Sequence, residues 1–548
     1  MSAVAAAPVS AVAERRDPDG PGALGRFDWV ALLTALAVAA VLRLPGIDGR
    51  GRFDADQGHD MLTLLAFARD GVIPLLGPKT SAGDFHHGAM YYFLLAPAAA
   101  ISNADPVVVT IFLALLGIGA VALTWWLGRA IGGPRAGAIA GLLLAVSPAA
   151  IDESTFIWNP NPIAFFAALA FAAAWRARSG GRRTWWAVAI AAAGMVVQLH
   201  VLGAIFFLEL LEIAVLEVRR DRSVLRPLLA GLAVVTLLFV PLLASELGSG
   251  FAETRGILAY FSGGAGARDT NPIFAIAFTL YRVVGWPFVG SVLDAPVAAA
   301  VLLAVTIAGA VLALRLVRSP QRTAIRWFIG LVIWSTLALA LAAPSLLHIV
   351  IGLPNDHYHA FLDPVVILLV AVPLGILFDR AVEAWRSTRR GTSALATAAV
   401  GLAIVAIFAI SIGRRPPAVD PDGGWPALRS AGERLVEDGG DGATFVVVGL
   451  PTFKLPDAIT FPIVHAGGDL LPAFPGYSGT GPVPQTNLVV VCDRLFEGPI
   501  GAACGGPAED AWVTGSASPT GGMPFTLKER FDASPRTVVS VYVLDRAR

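Results

Sequence analysis

The stretch Arg52–Pro97, RFDADQGHDMLTLLAFARDGVIPLLGPKTSAGDFHHGAMYYFLLAP, sets acids, histidines, a lysine and paired tyrosines between two strongly apolar segments. Asp54 and Asp56 stand just beyond the first apolar run, where a carboxylate in a wet site costs little. At a bilayer centre each would cost about 2.5–3.5 kcal/mol. Leu62–Phe67 reads as an amphipathic helix with Met61, Leu64, Leu65 and Ala68 on one face, and Gly71–Pro78 breaks it. FHHGAMYYFLLAPAAAI is too short, and too polar at its start, to span, and reads as a second interfacial helix. This loop, residues 45–105, therefore presents Asp54, Asp56, His59, Lys79, His86, His87, Tyr91 and Tyr92 at headgroup level.

The rest of the chain explains why such a loop lies against a bilayer. Of 548 residues, 56% are hydrophobic and only 15% charged, against about 25% charged in soluble chains. About eleven apolar runs approach the ~20 residues that a spanning helix needs. They are Trp29–Leu44, Pro106–Leu127, Ala136–Ile151, Pro162–Trp175, Trp185–Leu199, Val201–Val218, Leu225–Ala244, Ala295–Leu316, Ile325–Ala342, Phe361–Phe378 and Ser393–Ile412. Trp125, Trp126, Trp185, Trp186 and Trp327 sit at run ends, the interfacial aromatic pattern. A net charge of zero provides no basic field for nucleic acid.

Loop charge orients the bundle. GRAIGGPRAG, RARSGGRR, EVRRDRSVLR, RLVRSPQRTAIR and DRAVEAWRSTRRG are short and arginine-rich, and the positive-inside rule puts them in the cytoplasm. The alternate set, residues 52–105, DESTFIWNPN, QLH, 245–294 and PSLLHIVIGLPNDHYH, is then extracytoplasmic. The expected protein is a multi-pass plasma-membrane protein, mainly α. A disordered cytoplasmic tail (1–27) leads into a transmembrane domain (28–412), and an extracytoplasmic α/β domain (413–548) follows. The last region rests on the β-branched runs Thr444–Leu450, Asn487–Asp493 and Thr537–Leu544 and a helical pattern over Trp425–Glu437. Its Cys492 and Cys504, the only cysteines of the chain, suit one disulfide in an oxidising compartment, with two free thiols as the alternative.

The acid-bearing first external loop, the two interfacial helices and the paired tyrosines resemble the C-type glycosyltransferase superfamily. The likeness is to the protein O-mannosyltransferase and lipid A aminoarabinose transferase group, glycosyltransferase family 39. That resemblance runs the length of the chain, and its sharpest local match is DADQGHD…PLLGPKTSAGDFHHGAMYYFLLAP. It implies a sugar donor on polyprenyl phosphate. The acceptor would be a protein, glycolipid or polysaccharide with a free hydroxyl or amine, and transfer would be inverting. The family's acidic motif, usually Asp-Glu, is matched by Asp56-Gln57, so Asp56 inherits the role of base; Asp54 is the runner-up, because Gln57 leaves one carboxylate at the motif. Lys79, His86, His87, Tyr91 and the pair His357-Tyr358 are the candidates for the donor phosphate. Asp152 and Glu153 in the second external loop are candidates for acceptor or metal, with a helix-end cap as the plain alternative. His357 and His359 beside Asp356 leave a divalent metal ion open, and no other cofactor is implied. Two rival functions remain: a flippase or transporter of lipid-linked sugars, and a non-catalytic scaffold of envelope glycan assembly.

Overall fold

The computed structural model describes residues 23–80, 83–262, 271–347, 355–386, 390–471, 486–515 and 523–544. Most of the expected N-terminal tail, His348 and the glycine-rich run 263–268 lie outside the described residues.

Helices dominate the first three quarters of the chain. Six of those described are long and apolar enough to cross a membrane: Pro106–Gly132, Pro272–Val289, Pro296–Leu316, Ser319–Ala342, Asp356–Arg386 and Ala394–Gly413. A seventh arises if Arg222–Leu238 and Val240–Ser249, bent by 46°, form one span. The bend falls beside Pro241, which has no N–H to continue the ladder. Several expected spans are shorter or more charged helices: Arg26–Arg43, Pro134–Val146, Ile163–Arg178, Trp185–Leu199 and Gly203–Arg220.

One expectation changes. The segment 245–294, read as an external loop, holds the helix Pro272–Val289. Arg282, Gly285 and Pro287 interrupt its apolar run and hide it from a hydropathy reading. The arginine is tolerated because it is fully buried and paired: Nε donates to Asp356 Oδ1 at 2.8 Å, and Nη2 to Asn355 Oδ1 at 2.7 Å. Arg43, also fully buried, is satisfied differently. It closes the Arg26–Arg43 helix by donating to the carbonyls of Ala145 and Leu144 at 2.9 and 3.3 Å and to Ser154 Oγ at 3.3 Å. Those carbonyls end the Pro134–Val146 helix, where a positive charge offsets the helix dipole.

Both helices expected in the first loop are present, and the first is longer than its amphipathic stripe suggested. It runs Ala55–Asp70. Asp54 caps it: the carboxylate accepts from Asp56 N at 3.0 Å while Gln57 Oε1 accepts from Asp54 N at 3.0 Å, a reciprocal capping box. Gln57 therefore has a local reason to be Gln; its Nε2 also donates to Ile157 O at 2.9 Å. Met61, Leu64 and Leu65 are buried, and Phe67 meets Phe93 of the second helix, Met90–Ser102, at 5.0 Å.

The C-terminal domain is a five-stranded mixed sheet of order β2-β1-β3-β5-β4. Its strands are β1 (Thr444–Leu450), β2 (Asp469–Leu470), β3 (Thr486–Asp493), β4 (Phe525–Asp532) and β5 (Thr537–Leu544). β1 runs parallel to β2 and β3, and β5 antiparallel to β3 and β4. The helix Gly424–Gly439 and the helix Asp457–His465 cover it. Cys492 and Cys504 are joined as a disulfide.

This domain packs directly on the first loop. Phe53 lies 4.9 Å from Trp425 and 6.0 Å from Phe461. A Cβ on Gly58 would sit 1.9 Å from the Asp457 carbonyl oxygen, so helix 55–70 and helix 457–465 touch through backbone. Gly58→Ala is expected to separate the two. At about 1–3 kcal/mol for overpacking, the change should lower the melting temperature in detergent and speed proteolysis of residues 413–548. An unchanged melting temperature and cleavage rate would show that the approach is slack.

Candidate active site

The two helices of the first loop hold a buried carboxylate that sequence reasoning passed over. Asp60, one helical turn beyond Asp56, is buried, and each of its oxygens accepts from a tyrosine: Oδ2 from Tyr91 OH and Oδ1 from Tyr92 OH, both at 2.8 Å. Both tyrosines are buried too. Burial pushes the Asp60 carboxyl up to about 7, against the two phenol hydrogen bonds that hold it down. The i, i+4 spacing of Asp56 and Asp60 and the adjacent aromatic pair were visible in sequence; their convergence was not.

Asp56 differs in kind. Its side chain keeps 60% of its surface open, and its nearest cation is Lys454 Nζ at 4.0 Å. Its carboxyl is raised by burial of the surrounding recess and by the neighbouring Asp54, against the pull of Lys454, His59 and Arg536. Asp54, by contrast, is committed. Beyond its cap it lies 3.7 Å from Arg536, whose guanidinium is held by Asp493 at 2.7 Å. His59 Nδ1 lies 2.9 Å from Asp457 Oδ2, and that contact raises the imidazole above its usual range.

The residues expected at the donor phosphate divide among several places. Lys79 and His86 face each other in an isolated antiparallel bridge. Lys79 pairs with Asp84 at 2.7 Å and is 61% exposed, while His86 Nδ1 meets Glu253 at 3.0 Å. Tyr91 is turned to Asp60. His87, His357 and Tyr358 instead come together around His200. The His87 and His200 rings are 4.5 Å apart, His200 lies 5.0 Å from Tyr358 and 5.5 Å from His357, and His357 meets Trp158 in a tilted ring contact at 4.2 Å. His87 Nδ1 accepts from Val201 N at 3.3 Å, and burial with His200 and His86 nearby lowers its pKa well below the usual value. His87 is thus a neutral imidazole with its proton on Nε2. Tight backbone sets this cluster: Gly88 N donates to Gln198 O at 2.9 Å, and Asn159 Nδ2 to Leu199 O at 2.6 Å.

In the second loop Asp152 pairs with Arg52 at 3.0 Å. Glu153 is buried, and its carboxyl is pushed well above its usual range by burial and by Asp363, Asp152 and Asp356. No group of three or more His, Cys, Asp or Glu side chains among the described residues is disposed to hold a metal ion.

Asp60 carries a pH signature. Its folded pKa of about 7 exceeds the ordinary 3.8, so the folded state binds more protons between these values and stability falls as pH rises through that window. Asp60→Asn removes this slope. The melting temperature of wild type relative to the variant should therefore decline from pH 4 to pH 7; a difference that is flat with pH would mean that Asp60 titrates normally.

Comparison with known proteins follows the same outline. Residues 87–243 match the family "Dolichyl-phosphate-mannose-protein mannosyltransferase", a segment that includes His87, Tyr91, Tyr92, Glu153 and His200 and begins after Asp56. No curated protein matches the chain in sequence. Among solved structures, ArnT from Cupriavidus metallidurans bound to undecaprenyl phosphate aligns over 94% of this chain and 98% of its own, with TM-score 0.60 at 14% identity. The apo state of that protein aligns over 94% and 97%, with TM-score 0.55 at 15% identity. With its apolar helices, its first loop and its C-terminal sheet domain, the chain is a multi-pass membrane protein that shares the overall fold of ArnT, and its residues 87–243 resemble the mannosyltransferase family.

Proposed function

We propose that the protein moves a sugar from a polyprenyl-phosphate donor to an acceptor hydroxyl or amine at the extracytoplasmic face of the plasma membrane, with Asp56 as general base. The observation that carries this reading is the division of labour among three acids on one short element. Asp54 is spent on the helix cap and Arg536, and Asp60 on two tyrosines, while Asp56 stays open.

The donor class draws support from the structural neighbour that was crystallised with undecaprenyl phosphate. In the reaction, an acceptor hydroxyl oxygen forms the new bond to the anomeric carbon as Asp56 takes its proton. The bond from that carbon to the phosphate oxygen breaks, the phosphate leaves with the electron pair, and a single displacement inverts the anomeric centre. The leaving phosphate needs hydrogen-bond donors placed in advance. The Nε2–H of neutral His87, His357 and the Tyr358 hydroxyl form one cluster suited to it. Lys79 and His86, held by Asp84 and Glu253, suit the headgroup edge of the site. Asp152 and Glu153, which lie in the second loop, are the candidates on the acceptor side. Loop charge supports a cytoplasmic N-terminal tail, and the packing of residues 413–548 on the first loop supports their lying on the same outer face as that loop.

The test is transfer from a radiolabelled polyprenyl-phosphate sugar pool in membranes, comparing wild type with Asp56→Asn at matched expression. Loss of a general base should lower the rate about 10²–10⁴-fold. Undiminished transfer by the variant would overturn the assignment of Asp56, and no transfer by wild type from any donor in the pool would overturn the activity.

A further inference from the structure

The seam between helix 55–70 and the C-terminal domain carries more than packing. The loop 451–456, PTFKLP, leaves the end of β1 and delivers Lys454 to Asp56, the open carboxylate in the first turn of helix 55–70. We propose that Lys454, from the C-terminal domain, is a positioning residue of the transfer reaction: it holds Asp56 ionised and oriented from the acceptor side of the site. The proposal rests on the reading of Asp56 as base and adds to it a group on a different domain.

Three observations support it. First, the lysine is held in place. Lys454 N donates to Pro451 O at 2.9 Å, a Cβ on Gly449 would sit 2.1 Å from Lys454 O, and Nζ lies 6.0 Å from the centre of the Phe496 ring. Its side chain is only 21% exposed. A lysine so confined loses less freedom on binding than one waving in solvent. Second, the loop is tied to helix 55–70 just beyond the lysine, where Asp457 meets His59 at 2.9 Å and its carbonyl meets Gly58. The spacing between Asp56 and Lys454 is thus fixed from both segments. Third, the distances of an in-line displacement separate base from leaving group. The base stands about 3 Å from the acceptor oxygen, which stands about 3–3.5 Å from the anomeric carbon, with the phosphate beyond. A cation 4.0 Å from the carboxylate serves the base and the incoming acceptor, while the leaving phosphate needs other partners.

The charges facing Asp56 balance in a way that makes the lysine necessary. On its own helix stand Asp54, His59 and Asp60; from the C-terminal domain come Lys454, Asp457 and Arg536. Arg536 is already shared by Asp493 and Asp54, and His59 by Asp457. Burial and Asp54 both favour a protonated Asp56, and a protonated carboxyl cannot act as a base. Lys454 is the cation left to oppose them.

Two measurements test this, one of them independent of turnover. The pH dependence of kcat/KM should show its acidic limb moved to higher pH in Lys454→Met, with the rate recovering toward wild type at high pH, and restored in Lys454→Arg. Unit charges 4.0 Å apart correspond to a shift of about 0.7 pH unit even with the screening of bulk water. Carbodiimide labelling reads the same titration directly, because the reagent attacks protonated carboxyls. Modification of the Asp56 peptide, counting its cross-links, should persist to higher pH in Lys454→Met than in wild type or Lys454→Arg. If wild type transfers sugar and Asp56→Asn does not, yet neither the limb nor the labelling midpoint moves in Lys454→Met, the lysine is merely structural and the proposal fails alone. If transfer is absent throughout, the labelling still decides whether Lys454 governs Asp56, and an unmoved midpoint overturns it.

Discussion

The contact of Gly58 with the Asp457 carbonyl is the constraint on which the arrangement of the site depends. Two helices from regions some four hundred positions apart in sequence meet there backbone to backbone. Any side chain at position 58 would hold them apart. Because they touch, His59 reaches Asp457, Asp54 reaches Arg536 and Asp56 reaches Lys454, all along the first two turns of one helix. The capping box of Asp54 and Gln57 sets where that helix begins, and so places Asp56 in its first turn. Local chemistry chooses the position of the acid along the chain, and a missing Cβ chooses what faces it.

A chain with so few charges places several of them inside, and each solves the cost of burial in its own way. Arg282 is matched by a carboxylate, Asp60 by two phenols, and Arg43 by the carbonyls of a helix end. A buried charge without such partners would cost several kcal/mol. These pairings also knit the bundle together. Arg43 joins the first helix to the end of the Pro134–Val146 helix, Arg282 joins the Pro272–Val289 helix to the segment before the Asp363–Arg386 helix, and Asp60 joins the two helices of the first loop. The polar residues that hydropathy counts against a span are those that hold the spans in register.

Much of the fold was legible. Thr444–Leu450 and Thr537–Leu544 are strands with the bounds their β-branched runs indicate, because a buried central strand must be apolar on both faces. β4, with Thr, Lys, Glu and Arg along its outward positions, lies at the sheet edge and shows no such run. Helix Pro272–Val289 was hidden for a related reason: a span that buries an arginine against a distant aspartate loses its hydropathic outline. At the site, the first loop stood out by composition, and Asp56 by its place after the first span. Asp60 did not, since its meaning lies in Tyr91 and Tyr92 turning inward to it. Lys454 carried no signal, being one cation in an ordinary Pro-flanked loop.

Apolar period and length, loop charge and a capping box are properties of neighbouring residues, and the sequence by itself determined what depends on them: a helical membrane protein, two short helices in an acid-bearing loop, and a C-terminal sheet domain. Which acid stays open, which histidines cluster and which domain supplies the cation depend on contacts between residues far apart in the chain, and only the tertiary structure decided them. His87, His200 and His357 are ordinary loop-end histidines until three helix ends converge. Close packing makes that convergence a matter of single atoms, a Cβ present or absent at position 58 or an amide oxygen beside Gly88, and such terms are invisible to any local pattern.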